Sequence, residues 1–378
     1  MLFYRLVLIT QRGIQGGRRK QQLKISSNHI MYLIFAISLF TLYVMQTRIQ
    51  SFDEKLNGSD FNVNEPFHKI HSVDKKPSFR SPLAYGTRDG KDQTSYLVET
   101  AILEGFRHIV TGSHHIKHNE TGVGIGWKSA VKRDPTIRRN DLFLQTMFVP
   151  WDGKDFKPHA NDPVNKPSIE EQVEITISQS LQNLQTDYID SVLYFNFRAE
   201  LHAYEDMIRA WRVLEQYVEK GTIRFLGLSN IHDADYLTRL QNDAKIKVSI
   251  VQNRFHANRG FDISLTPFFD SFGIQVQRFW ILTGNGGGVK RNNEMAKDKK
   301  LTPEQLMLAF VMTLGSEGHS TTALVGTHNV EHMREDIEVA YKYEHIFKKM
   351  DSSDLERMEF ATNIGMKYIP ETSASNKK

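Results

Sequence analysis

The chain has 378 residues, 40% hydrophobic and 24% charged, enough for one large folded domain with extensions or two smaller ones, and ordinary for a folded protein that buries a core. Its net charge is +4 and it has no cysteine, which excludes disulfides, thiolate nucleophiles and cysteine-based zinc sites. Seven Lys and Arg fall within the first 48 residues and the first acid is Asp53. The remainder is close to neutral, which argues against a nucleic-acid surface.

Residues 1–28 form a basic tail. Residues 30–45 read IMYLIFAISLFTLYVM, with no charge. At about 1.5 Å per residue that run covers about 24 Å, and the flanks from 29 to 49 extend it to the depth of a thin bilayer. A single transmembrane helix over 29–49 is expected. Arg12, Arg18, Arg19, Lys20 and Lys24 precede the run and only Arg48 follows it closely. The positive-inside rule therefore leaves the N-terminus cytosolic and carries the bulk of the chain across, with an ER or Golgi lumenal barrel as the expectation. A mitochondrial inner-membrane location is the alternative, because the first 52 residues lack acids and include several Arg. Residues 50–80 are polar and aperiodic, as a stem or linker is. Asn57 and Asn119 each open an N-glycosylation acceptor pattern.

From residue 82 short apolar runs alternate with longer amphipathic ones. Ser168 and Glu171 form a capping box for a helix over 168–186, with Val173, Ile177, Leu181 and Leu184 on one face. A strand at 191–195 follows, then a helix over 203–220 stopped by Gly221, then a strand at 223–228. Residues 248–251 and 274–281 read as further strands. TPEQ at 302–305 opens a helix with Pro at its first position, residues 323–325 read as a strand, and a last helix is predicted over 330–341. Alternating strands and helices predict a parallel sheet covered on both sides. About 290 residues with this rhythm, over 81–370, suit an α/β fold of the (β/α)8 TIM-barrel type, with 371–378 as a disordered tail.

Several phrases resemble aldo-keto reductase signatures, in that family's order: AYGT (84–87), AILEGFRHI (101–109), SLQNLQTDYID (180–190), GTIRFLGLSN (221–230), VQN (251–253) and GIQVQRFW (273–280). The resemblance implies a (β/α)8 barrel with NADP(H) and a carbonyl substrate at the C-terminal ends of the strands. It also implies a Tyr acid tuned by Lys and Asp, and a His that orients the substrate. At those positions this chain has Val110 for the Asp, His115 for the Tyr, Met147 for the Lys and Phe195 for the His, with two extra residues ahead of Asn119-Glu120.

Ser229, Asn230 and Gln252 match residues that hold the nicotinamide carboxamide in the family. The stacking aromatic is expected at Val276. In GTHNVEH (326–332) the usual Lys is Gly326 and the usual Arg is His332, which removes the strongest contacts to an adenosine 2'-phosphate. Glu335 and Asp336 resemble the adenine-contacting end.

Three other groups bear on chemistry. His114 or His115 is a candidate displaced acid. His108, His114, His115, His118 and Glu120 can be drawn as a metal cluster, but His108 belongs to the family's Arg-His pair and no metal site is expected. The glycine run 284–288 has no Lys-Ser/Thr after it and reads as a flexible loop. The expectation is a membrane-anchored, catalytically inactive barrel with a protein partner and no cofactor, serving as a binding, regulatory or scaffolding module. The alternative is an NADP(H)-dependent carbonyl oxidoreductase with a rearranged acid.

Overall fold

A computed structural model describes residues 82–151, 167–195, 204–315 and 320–347. Eight strands close into a barrel in sequence order, every neighbouring pair parallel. They are β1 (Leu83–Gly86), β2 (His108–Val110), β3 (Phe143–Phe148), β4 (Ile189–Phe195), β5 (Ile223–Ser229), β6 (Ile250–Arg254), β7 (Gln275–Phe279) and β8 (Ser320–Val325). Ten α-helices are described: α1 (Thr94–Glu104), α2 (Glu120–Arg133), α3 (Ile169–Leu184), α4 (Tyr204–Glu219), α5 (Ala234–Asp243), α6 (Thr266–Phe272), α7 (Gly286–Arg291), α8 (Asn293–Asp298), α9 (Pro303–Met312) and α10 (Val330–Phe347). The predicted barrel is therefore found. Among the described residues no helix is long and apolar enough to cross a membrane; the anchor expected over 29–49 lies outside the described residues, as do the stem and Asn57.

Local chemistry sets the elements. Ser168 and Glu171 cap α3 reciprocally, and Thr302 with Gln305 does the same for α9. Gly221 ends the α4 segment at φ 78°, where a side chain would be strained. The expected strand at 248–251 begins later, at Ile250, and reaches Arg254. The glycine run folds into the 3-10 turn Thr283–Asn285 and the start of α7, not a loop, because Asn285 Nδ2 donates to the carbonyls of Phe255 (2.7 Å) and Ile281 (2.9 Å).

Helix α2 packs unusually close to both neighbours. A Cβ at Gly124 would lie 2.2 Å from the Asn183 carbonyl of α3, and one at Gly126 would lie 2.5 Å from the Ser95 carbonyl of α1. Trp127 Nε1 donates to Leu184 O at 2.8 Å and ties the same seam. Glu120, buried at the start of α2, accepts from Thr146 Oγ1 (2.5 Å) and Ser180 Oγ (2.8 Å), fixing α2 against β3 and α3. The loop before α2 is thus held at a defined height over the barrel.

The barrel interior has three kinds of filling. At the N-terminal end His108 meets Phe143 edge-on and Phe143 stacks on Phe225. Gln145 and Gln277 exchange two amide hydrogen bonds of 2.7 Å, joined by Ser191 and Gln252. Met147, Leu193 and Ile250 form a small apolar cluster. Each amide is paired, so the buried polar layer is satisfied.

Candidate active site

In a parallel barrel all eight strands end at one face, and side chains from different strands converge there. Three of the four positions singled out in the sequence meet at this face. Val110 ends β2 on the inward parity of His108, and the chain beyond it stays on β3. Thr111 N–H donates to Gln145 O at 2.8 Å and Ser113 N–H to Met147 O at 3.0 Å. Met147 packs on Leu193 and Ile250, and Phe195 at the end of β4 packs against that cluster. These side chains make an apolar floor with no group that can give or take a proton.

His115 and Lys117 are exposed, while the Lys117 and His118 N–H groups both donate to His114 O at 2.9 Å, turning the chain back so that His118 faces the barrel. A Cβ at Gly112 would lie 3.1 Å from Met147 Cε and 3.2 Å from His118 Cδ2, so thioether and imidazole close on one point. Asn119 follows as the N-cap of α2: its Oδ1 accepts from Gly122 N–H at 2.8 Å and its Nδ2 donates to Lys91 O at 3.0 Å. That amide has a structural role, which speaks against its use as a glycan acceptor.

His118 Nδ1 is sealed from solvent and has no hydrogen-bond partner among the described residues. Burial of the ring pulls its pKa down to about 4, with Arg88, His114 and Lys117 pushing the same way and Asp89 opposing. The imidazole is therefore neutral at physiological pH and sits in a positive field. The sequence held a signal for it: the two extra residues precede Asn119, and counting back from Asn-Glu instead of forward from Val110 reaches this end of the loop.

The cofactor positions hold together on the other side of the mouth. Ser229 Oγ donates to Gln252 Oε1 at 3.3 Å, Gln252 Nε2 donates to Gln277 Oε1 at 2.7 Å, and Asn230 N–H donates to Gln252 O at 2.9 Å. Asn230 itself adopts φ 66°, a conformation Asn tolerates better than most residues. Gln252 keeps one N–H and one lone pair free of these bonds, so the trio fits a carboxamide.

The stacking position is corrected. Val276 lies fully buried mid-strand and packs in the outer core between sheet and helices. Gln275 and Gln277 point into the barrel, so the same parity places Phe279, at the C-terminal end of β7, inward at the mouth. Phe279 is half-buried and offers the aromatic face that Val276 lacks.

The far end is poorer in cations. Gly326 and His332 are exposed, with His332 Nδ1 3.5 Å from Thr327 Oγ1, and Arg334 is engaged by Glu104 through two contacts of 2.9 Å and by Glu331 at 2.6 Å. Glu335 is half-buried, but Asp336 is buried, 8% exposed, and does not present a surface to an adenine ring.

Burial, with Glu335 alongside, raises the Asp336 carboxyl from 3.8 to about 7. The unfolded chain releases this proton near pH 4 and the folded chain holds it to about 7. Stability is therefore lost as pH rises across that window. Asp336→Asn is expected to raise stability at pH 8 by on the order of 2–4 kcal/mol and to change it little at pH 4, read from urea unfolding at both pH values.

Among the described residues no three His, Cys, Asp or Glu side chains are grouped to hold a metal. His108 starts β2, at the opposite end of that strand from the loop that carries His114, His115 and His118.

Comparison with known proteins places these observations in a family. The sequence model described as "Aldo/keto reductase family" matches residues 84–287. An uncharacterized oxidoreductase of Schizosaccharomyces pombe is 29% identical over 212 residues, 52% of this chain and 57% of that protein. The glycerol 2-dehydrogenase (NADP(+)) of Hypocrea jecorina is 27% identical over 191 residues, 46% of this chain and 54% of its own length. The chain thus spans little more than half of these two relatives. Among solved structures, an aldose reductase from Giardia lamblia superposes with TM-score 0.59 at 20% identity, covering 75% of this chain and 92% of that one. At that identity the likeness speaks for the fold alone.

Proposed function

We propose, on the premise that this chain belongs to the aldo/keto reductase family, that the barrel mouth binds a nicotinamide dinucleotide and reduces a carbonyl compound, with His118 polarising the carbonyl oxygen. The observation that carries this reading is the His118 imidazole, half-enclosed beside Met147, with an unpartnered nitrogen and a pKa pulled down to about 4. The names of the relatives, oxidoreductases and dehydrogenases, support the same class of chemistry.

When bound, a reduced nicotinamide supplies a hydride. The residues of this chain have to orient that ring and stabilise the oxygen that gains charge. Ser229, Asn230 and Gln252 would hold the carboxamide, and Phe279 would cover one ring face. A neutral imidazole N–H donates a hydrogen bond to the carbonyl oxygen without charge of its own, a role known for buried histidines held neutral. The positive field of Arg88 and Lys117, which disfavours the imidazolium, favours an oxygen becoming negative. The alkoxide left by hydride addition takes its proton from solvent, while the neutral imidazole N–H holds the developing charge. With Gly326 and His332 in the 2'-phosphate stretch, NADH should bind no more weakly than NADPH.

The test is oxidation of NADH and NADPH by the full-length chain with a panel of aldehydes and ketones. Turnover is expected to be flat between pH 6 and 8, because His118 stays neutral throughout. A rate falling about tenfold per pH unit above 6.5 would mean that an ordinary imidazolium is the acid.

A second reading has its own observation. Val110 and Met147 leave no carboxylate or ammonium to tune an acid, which suits a barrel retained for binding a protein partner. Nucleotide binding without any turnover would favour it. We also infer that residues 29–49 anchor the chain with the barrel in a lumen, from the cationic flank alone. In sealed microsomes the barrel should then resist added protease, and its digestion would overturn that orientation.

A further inference from the structure

Beyond the proposed hydride site, the rim formed by the ends of β6 and β7 carries a cation with no carboxylate partner among the described residues. Arg254 is the last residue of β6, and its place two residues after Gln252 gives it the same inward parity. Its guanidinium lies 4.6 Å from the Trp280 ring centre and 6.0 Å from that of Phe279. Trp280 adopts φ 64° and is 43% exposed, so the aromatic shelf stands at the opening and not in the core. His256 meets the Trp280 ring edge-on at 6.3 Å.

Arg254 Nε is sealed from solvent without an acceptor, and the side chain has no carboxylate partner among the described residues. The groups that act on it electrostatically are Arg259 and Arg88, both cations, and with burial they lower its pKa. A guanidinium packed on aromatic faces, partly desolvated, with two further cations in range and no anion, lacks only its counter-charge. Arg88 also bears electrostatically on His118, so the cationic corner and the proposed hydrogen-bond donor share one positive field.

We propose that the substrate bears its own anionic group, a carboxylate or phosphate, received by the Arg254 guanidinium while its carbonyl meets His118. The inference rests on the hydride-transfer reading for the word substrate, but the anion site is testable without turnover. Arg254 is then the specificity-determining residue: it contributes a bidentate pair of N–H donors to a planar carboxylate, and a neutral aldehyde of the same size forgoes them.

The experiment has two arms on the full-length chain. Calorimetric titration with oxalate, an unreactive dianion, is expected to give saturable one-site binding that Arg254→Met abolishes and Arg254→Lys partly restores, with unchanged thermal melting. In the second arm glyoxylate is compared with glycolaldehyde, and glyceraldehyde 3-phosphate with glyceraldehyde. At least one anionic member should exceed its neutral partner at least 30-fold in kcat/KM, through KM, and Arg254→Met should collapse that ratio to within about threefold. Oxalate binding equally to wild type and Arg254→Met, or not at all, overturns the site. A preference that survives Arg254→Met, with weakened NADH affinity instead, overturns it in favour of a guanidinium that grips the nucleotide phosphates. Oxalate binding that depends on Arg254 without any turnover keeps the site and defeats only the hydride-transfer reading.

Discussion

Asp190→Ala is expected to destabilise the barrel by about 3–5 kcal/mol, the range for removing one partner of a buried ionic network. Asp190 is 2% exposed and lies near the start of β4. Its carboxylate accepts from Leu144 N–H (2.9 Å) and Arg224 Nη1 (2.9 Å) and forms an ion pair with Arg139 (Nη2 at 2.9 Å), linking β3, β4 and β5 at one point. Both guanidiniums flank the Tyr188 ring, each 4.0 Å from its centre. Without the carboxylate, Arg139 keeps its charge at 15% exposure with only the carbonyls of Leu142 and Tyr188 and the Thr186 hydroxyl to satisfy it. Asp190→Asn retains an acceptor for Leu144 N–H and should cost less than the alanine variant. Urea unfolding decides the point: a loss below about 1 kcal/mol for Asp190→Ala would mean that solvent screens the network as it screens surface pairs.

His118→Leu is expected to lower kcat by about 10²–10³, the effect of removing one preorganised donor to a developing oxyanion. Leucine fills the space against Met147 and Gly112 without a proton, so nucleotide affinity should change little. Asn119 and its cap are untouched by the substitution, so the loop keeps its anchor. His115→Ala should alter kcat less than twofold, because His115 stands in solvent. Equal losses in kcat and in kcat/KM for His118→Leu would place its contact in the transition state alone. The reverse ranking, with His115 essential and His118 dispensable, would favour the alternative named in the sequence, a displaced acid at His114 or His115.

Much of the barrel is legible because its signals are local. Ser168 with Glu171, Thr302 with Gln305 and Gly221 each satisfy or release backbone groups within a few residues, and the helices start and stop where those residues stand. The sequence grouping of Ser229 with Gln252 is met by a hydrogen bond across adjacent strands. What failed depends on lengths that no local signal sets. Which residue of β7 reaches the mouth depends on where the strand ends, so the aromatic face there is that of Phe279, while Val276 lies in the outer core. Which histidine of the β2–α2 loop turns inward depends on the backbone bonds to His114 O and on the Asn119 cap, so it passes from His115 to His118. The glycine run reads as a loop until Asn285 is seen bonding two carbonyls from the preceding segments. Arg254 drew no attention in the sequence, because an arginine after a strand is ordinary until its shelf and its missing counter-charge are both in view.

The central claim is that this mouth transfers a hydride. Its most direct test is a single turnover of the full-length chain with nicotinamide dinucleotide carrying two deuterium atoms at C4, mixed with the anionic and neutral aldehydes and analysed by mass spectrometry. The account predicts one deuterium on the former carbonyl carbon of the product alcohol, with label lost in step when His118 is replaced by leucine. Nucleotide bound at micromolar affinity with no label above background in any alcohol would contradict it and leave the barrel as a binding module.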